Sequence, residues 1–205
     1  MEIACLDLEG VLIPEIWINV AERTGIEELK ATTRDIPCYD ELMTQRLKIC
    51  ADNGLKIDVI QEVIDGLGPL EGANDFLNWL RERFQVVILS DTFYEFAAPL
   101  MRQLGNPTLF CHKLSISDEG EITDYHLRMP DQKREAVKRL HEINFKCIAT
   151  GDSYNDTTML GEADRGILFC PPQNVIDEFP QYPVATDYEM LKEEFLKAQK
   201  AIREA

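Results

Sequence analysis

The chain is short of positive charge, of long apolar runs and of clustered metal-binding sulfur, and each shortage closes a class of function. Lysine and arginine number 21 against 37 aspartates and glutamates, a formal net charge of -16 over 205 residues. Nucleic acids and anionic membrane surfaces need a field of cations to offset their phosphates. The balance therefore argues against both partners, and an anionic substrate must be drawn by local cations. No apolar run approaches the length of a membrane span, and Met1-Glu2 leads into a short apolar stretch with no basic region before it, so the expected location is cytoplasmic. The cysteines, Cys5, Cys38, Cys50, Cys111, Cys147 and Cys170, include no C-x-x-C pair and no zinc-like grouping with histidine. Cys5 and Cys147 lie in apolar runs, where a thiol acts as a small hydrophobe. His112, His126 and His141 stand apart from every motif and read as packing or surface residues.

What is present has a rhythm. EIACLDL, QVVILSD, FKCIATGD and GILFC read as strands, and residues 73–84, 93–104, 131–143 and 187–204 repeat apolar residues every three or four positions, as helices do. Strands alternating with helices predict an α/β chain, doubly wound around a mostly parallel sheet. Between Pro14 and Gly72 the rhythm breaks: EIWINVAERTG, YDELMTQRLKICADNG and KIDVIQEVIDGLG are three helical patterns in succession, each ending near glycine. This predicts a core from residues 1–14 and 73–205, with a small helical cap, 15–72, inserted after the first strand. LFCHKLSISDEGEITDYHLR reads as a β-hairpin about SDEG.

Open α/β sheets bind ligands at the carboxyl ends of their strands. Those ends carry Asp7-Leu8-Glu9-Gly10, Ser90-Asp91-Thr92 and Gly151-Asp152-Ser153-Tyr154-Asn155-Asp156. Each acid alone suits a turn or helix cap. Together, Asp7, Glu9, Asp152 and Asp156 would repel one another unless a cation joined them, and Mg2+ suits an all-oxygen site. Asp7 and Glu9 face the same way if the chain stays extended through Leu8. One carboxylate can then attack phosphorus while the other protonates the leaving oxygen. Ser90, aided by a backbone N–H in the loop at Asp91, can hold a phosphoryl oxygen, and Lys133 can offset the charge gathering there.

DLEG, SDT, Lys133 and GDSYND resemble, in order and context, the motif set of the haloacid dehalogenase superfamily. The resemblance implies a Rossmann-like core, Asp7 as nucleophile and Glu9 as acid/base. It also implies Mg2+ held by Asp7, Asp152 and the backbone carbonyl of Glu9, with Asp156 in support. Glu9 departs from the family's usual aspartate, and its extra methylene moves the carboxyl by roughly a bond length. A cap after the first strand resembles the phosphoserine phosphatases, in which Glu15 and Arg46 would hold the substrate's ammonium and carboxylate and Asn155 would touch substrate. DLEG itself resembles the branch that also passes the phosphoryl group to homoserine. Nucleotides or sugar phosphates are the competing substrates, and a phospho-accepting receiver domain is the competing non-enzyme. Against the receiver, the acid proposed for attack follows the first strand and a helical insertion intervenes. Spacing does not separate water from homoserine as acceptor, nor a monomer from a homodimer.

Overall fold

A computed structural model of the chain describes residues 1–32, 35–36 and 38–204. Alternation decides how the first strand is buried. In β1 (Glu2–Leu6), Ile3 and Cys5 enter one apolar layer while Ala4 and Leu6 enter another. Side chains alternate with a period of two, so a strand covered on both faces must read as an unbroken apolar run. Beside it lie β2 (Gln85–Phe93) and β5 (Lys146–Gly151), both parallel, with Cys5 opposite Val87 and Ala149. β3 (Leu109–Ile116) pairs outward of β2, and β6 (Arg165–Phe169) and β7 (Val184–Ala185) outward of β5. β4 (Ile122–His126) returns antiparallel along β3, giving the order β4-β3-β2-β1-β5-β6-β7. The doubly wound, mostly parallel α/β architecture is the one expected.

Before the second strand come α1 (Ile16–Thr24), a 3-10 turn (Glu27–Lys30), α2 (Tyr39–Asp52), α3 (Ile57–Asp65) and α4 (Ala73–Arg81). Then follow α5 (Tyr94–Gln103), α6 (Gln132–Glu142), α7 (Thr157–Glu162), α8 (Gln173–Glu178) and α9 (Tyr188–Glu204). The apolar layer that takes Leu6 also takes buried residues of α1 to α5 and α9, whereas α6, α7 and α8 cover the opposite face. The α2–α3 region is also tied to the β3–β4 hairpin: the Ile57 N–H donates to Gly120 O at 3.0 Å and the Tyr125 hydroxyl to Asp40 Oδ1 at 2.6 Å. Among the described residues, no helix is long and apolar enough to cross a membrane.

β2 does not end at Ser90. It continues to Phe93, and between the Leu89–Phe110 and Phe93–His112 pairs it advances four residues while β3 advances two. The surplus is a bulge, which breaks the ladder and re-aims side chains at a sheet's rim. Ser90, Asp91 and Thr92 sit in it. α7, α8 and β7 span only two to six residues, too short to show a period in sequence.

Candidate active site

Asp7 follows directly on β1, its N–H bonded to Thr150 O at 2.9 Å, so the strand delivers it beside the end of β5. Past it the chain turns sharply: the N–H groups of Leu12 and Ile13 both donate to Leu8 O, at 2.8 and 3.1 Å. Gly10 makes the turn with φ 76°, and a Cβ there would lie 2.6 Å from the Asp152 carboxylate. A Cβ on Gly151 would collide with the Asp156 carboxylate. The glycine of DLEG thus makes room for the first acid of GDSYND, a packing requirement spanning more than 140 positions of chain, and the glycine of GDSYND makes room for its own motif's second acid.

Lys133, at the start of α6 and 2% exposed, is the hub. Its Nζ lies 2.8 Å from Asp7 Oδ1, 2.8 Å from Asp156 Oδ1 and 3.7 Å from Asp91 Oδ2. Asp156 is fully buried, and its other oxygen accepts the N–H groups of Asp152 and Ser153 at 3.0 and 3.2 Å. Burial pushes the Asp7 carboxyl well above the ordinary carboxylate range, with Asp156 adding to the rise and Lys133 opposing it. Asp152 is pushed up to about 7 by burial and by the charges of Asp156 and Glu15. Burial acts to lower Lys133, but Asp156, Asp7 and Asp91 outweigh it and hold the ammonium well above its usual value.

Carboxylate oxygens of Asp7, Asp152 and Asp156 lie within 4.8 Å of one another. Three buried or half-buried acids against one lysine leave negative charge uncompensated, and an all-oxygen donor set suits a hard divalent cation.

The remaining sequence candidates share one cavity of about 170 Å³ with Asp7, Lys133 and Asp152: Glu9, Glu15, Arg46, Ser90, Asp91 and Asn155 all line it. Glu9 Oε2 accepts the Ile16 N–H at 2.9 Å, at the start of α1. Burial, followed by the neighbouring Glu15, pushes its carboxyl up to about 8. The Arg46 guanidinium stacks over Trp17, 4.8 Å from the ring centroid, and donates through Nη2 to Ala31 O at 2.8 Å. Its Nε is buried with no hydrogen-bond partner among the described residues. Burial lowers this guanidinium's pKa, against the opposing pull of Tyr39, Glu9 and Glu15.

Burial acts to raise Asp91, but Lys133 and hydrogen bonds from the side chains around it hold the carboxyl below its ordinary value. Those neighbours include residues absent from the motif reading. Gln132 Nε2 lies 3.2 Å from Asp91 Oδ1 and also donates to Ser90 O. Asn155 Nδ2 donates to Asp91 Oδ2 at 3.3 Å, and the Tyr39 hydroxyl to Asp91 O at 3.0 Å. His112, which stands apart from the motifs in sequence, is buried with Nε2 3.6 Å from Asp91 Oδ1. Only its place in β3 opposite the β2 bulge brings it there, and no local pattern announces that. His126 and His141 pair with Ser115 and Asp164 instead.

An acid at the end of the first strand, a clamping lysine and a distant acidic pair on a Rossmann-like sheet define a phosphate-handling hydrolase. Residues 1–164 match the haloacid dehalogenase-like hydrolase family model, and the chain belongs to that family. It is 66% identical over 198 residues to phosphoserine phosphatase ThrH of Pseudomonas aeruginosa, covering 97% of each chain. It is 63% identical to the phosphoserine phosphatase of Pseudomonas syringae pv. tomato, over 97% of this chain and 84% of that one. Among solved structures, a phospho-aspartyl intermediate analogue of phosphoserine phosphatase shares the fold with a TM-score of 0.77 at 21% identity, covering 94% of this chain and 98% of the other.

Proposed function

We propose that this enzyme is an Mg2+-dependent phosphoserine phosphatase that forms an aspartyl-phosphate on Asp7 and can pass the phosphoryl group to homoserine as well as to water. Residues 1–14 and 73–205 supply the chemistry and 15–72 act as the cap. The observation that carries the reading is a conjunction in one small cavity. A buried carboxylate is clamped by Lys133, and a buried guanidinium retains an Nε donor without a partner among the described residues. An unpaired buried donor is unfavourable unless a ligand satisfies it, and a guanidinium best matches a carboxylate. A small phosphate ester that also carries a carboxylate meets both demands. The names of the two Pseudomonas relatives support phosphoserine as that ester.

Leu8 N–H and Lys133 both contact Asp7 Oδ1, which leaves Oδ2 to attack phosphorus. As the new O–P bond forms, the P–O bond to the serine oxygen breaks and that oxygen takes a proton from Glu9. A carboxyl raised to about 8 still holds its proton at neutral pH, as a general acid must. Water or the homoserine hydroxyl then attacks phosphorus, giving its proton to Glu9 and restoring the Asp7 carboxylate. Ser90 and Lys133 offset charge on the phosphoryl oxygens, Arg46 and Glu15 hold the amino-acid end, and Asn155 steadies the substrate. Mg2+ would be held by Asp7, Asp152 and the Glu9 carbonyl, Asp156 being engaged by two N–H groups and Lys133, and when bound it supplies positive charge against the phosphoryl group. The test is phosphate release from phosphoserine, nucleotides and sugar phosphates with Mg2+, with and without homoserine. Preference for a nucleotide or sugar phosphate would overturn the substrate, and absence of phosphohomoserine would overturn the transfer.

A further inference from the structure

Lys133 and neighbouring side chains hold the Asp91 carboxyl ionised against burial, and its surroundings resemble a brace more than a substrate contact. Gln132 and Asn155 donate to it at 3.2 and 3.3 Å, and His112 Nε2 faces it at 3.6 Å. The donors are themselves held. His112 Nδ1 accepts the Arg128 N–H at 3.0 Å, which leaves the ring proton on Nε2, toward Asp91. Arg128 Nε donates to Gln132 Oε1 at 3.1 Å, turning the amide N–H groups of Gln132 toward Asp91 and Ser90.

We propose that Asp91, backed by His112 and Gln132, is a positioning residue that holds the Lys133 ammonium on the nucleophile. Lys133 is drawn toward Asp7 and Asp156 at 2.8 Å each, and Asp91 at 3.7 Å supplies the third side of its cage. A lysine ammonium is a point charge on a flexible stem, so its location depends on such opposed partners. The brace reaches it through the β2 bulge, the step that lifts Asp91 out of the sheet ladder and faces it to the β3 histidine. The inference rests on Asp7 as nucleophile and is independent of which ester the enzyme takes.

The experiment compares the wild type with Asp91→Asn, His112→Leu, His112→Gln and the double variant Asp91→Asn/His112→Leu. Turnover is measured on phosphoserine and on an aryl phosphate that carries no amino-acid groups. Inorganic phosphate binding is measured by calorimetry with Mg2+ present, and folding by thermal melts. Asp91→Asn is expected to lower kcat about tenfold on both esters, the effect of shifting a catalytic group by a fraction of the ~1 Å that can cost ~100-fold. The same variant should bind inorganic phosphate more tightly, because an anion has left the cavity. General damage would not improve binding. His112→Leu should lower kcat with KM unchanged, His112→Gln should recover most of it through its amide N–H, and the double variant should be no slower than Asp91→Asn alone. Additive losses in the double variant, or weaker phosphate binding with kcat intact in Asp91→Asn, would overturn the brace. Should His112→Leu fail to fold, Asp91→Asn with and without His112→Gln carries the comparison. If the wild type cleaves the aryl phosphate but not phosphoserine, the substrate assignment falls while the brace is still read from the aryl ester.

Discussion

The two walls of the cavity treat their polar groups differently. On the core wall, Lys133 is bonded to Asp7 and to the buried Asp156 behind it, and Asp91 is held by Gln132 and Asn155. On the wall supplied by the segment between β1 and α4, the Arg46 Nε has no partner among the described residues. Groups that satisfy one another are preorganised and need nothing from a ligand, as transition-state stabilisation demands. A buried donor left without a protein partner is open to a ligand that can accept from it, and that is how polar recognition discriminates. The contrast separates a chemistry wall from a recognition wall.

The contrast breaks most visibly at the nucleophile. Asp7→Asn should reduce turnover to background on every ester and leave no phosphoenzyme detectable by intact mass, with folding retained. Glu9→Gln should lower kcat on phosphoserine about 10²- to 10⁴-fold, the usual worth of a general acid, with a smaller loss on an aryl phosphate whose leaving group needs no proton. Because Glu9 keeps its proton up to about 8, wild-type kcat on phosphoserine should fall as pH rises past that value. A pH profile of the glutamine variant should lack this limb.

On the opposite wall, Arg46→Lys retains charge but loses the planar fork. It should raise KM for phosphoserine about tenfold, the worth of one charged hydrogen bond, and affect the aryl phosphate far less. Equal losses on both esters would erase the distinction between the walls.

Metal linkage gives a smaller effect. The carboxyl groups of Asp152 and Glu9 are raised to about 7 and about 8 from ordinary values of 3.8 and 4.5, so their charged forms are disfavoured by folding. The metal-free protein should therefore lose stability as pH climbs through this window, the reverse of a salt-bridged carboxylate. Chelation should lower the melting temperature more at pH 8 than at pH 6, at about 2–4 °C per kcal/mol for a chain this size. An equal shift at both pH values would place the ion away from Asp152. Smallest is Gly10→Ala, expected to cost about 1–2 kcal/mol for its left-handed backbone, with a further loss of metal affinity as the Cβ crowds Asp152.

Much of this was readable along the chain. The apolar run of EIACL announces a doubly covered strand, and DLEG and GDSYND mark strand ends, whereas SDT, which reads as another, lies inside β2. The helical break between β1 and α4 was plain from three periodic segments in a row. The bulge in β2 was not, because a bulge is a mismatch between two strands and neither strand carries it alone. Nor were Gln132, Tyr39 and His112 legible as parts of the site, since their side chains matter only through what stands opposite them.

By itself, then, the sequence determined the longer strands and helices and their order, the acids that follow the first and third apolar runs, the lysine at a helix start, and the family, because periodicity and motif spacing are local properties of the chain. Tertiary structure alone decided which groups are paired and which are left open, since burial raises Glu9 and Asp152 and Lys133 joins acids that lie far apart along the chain. Desolvation and charge pairing depend on three-dimensional distance, and no one-dimensional pattern records it.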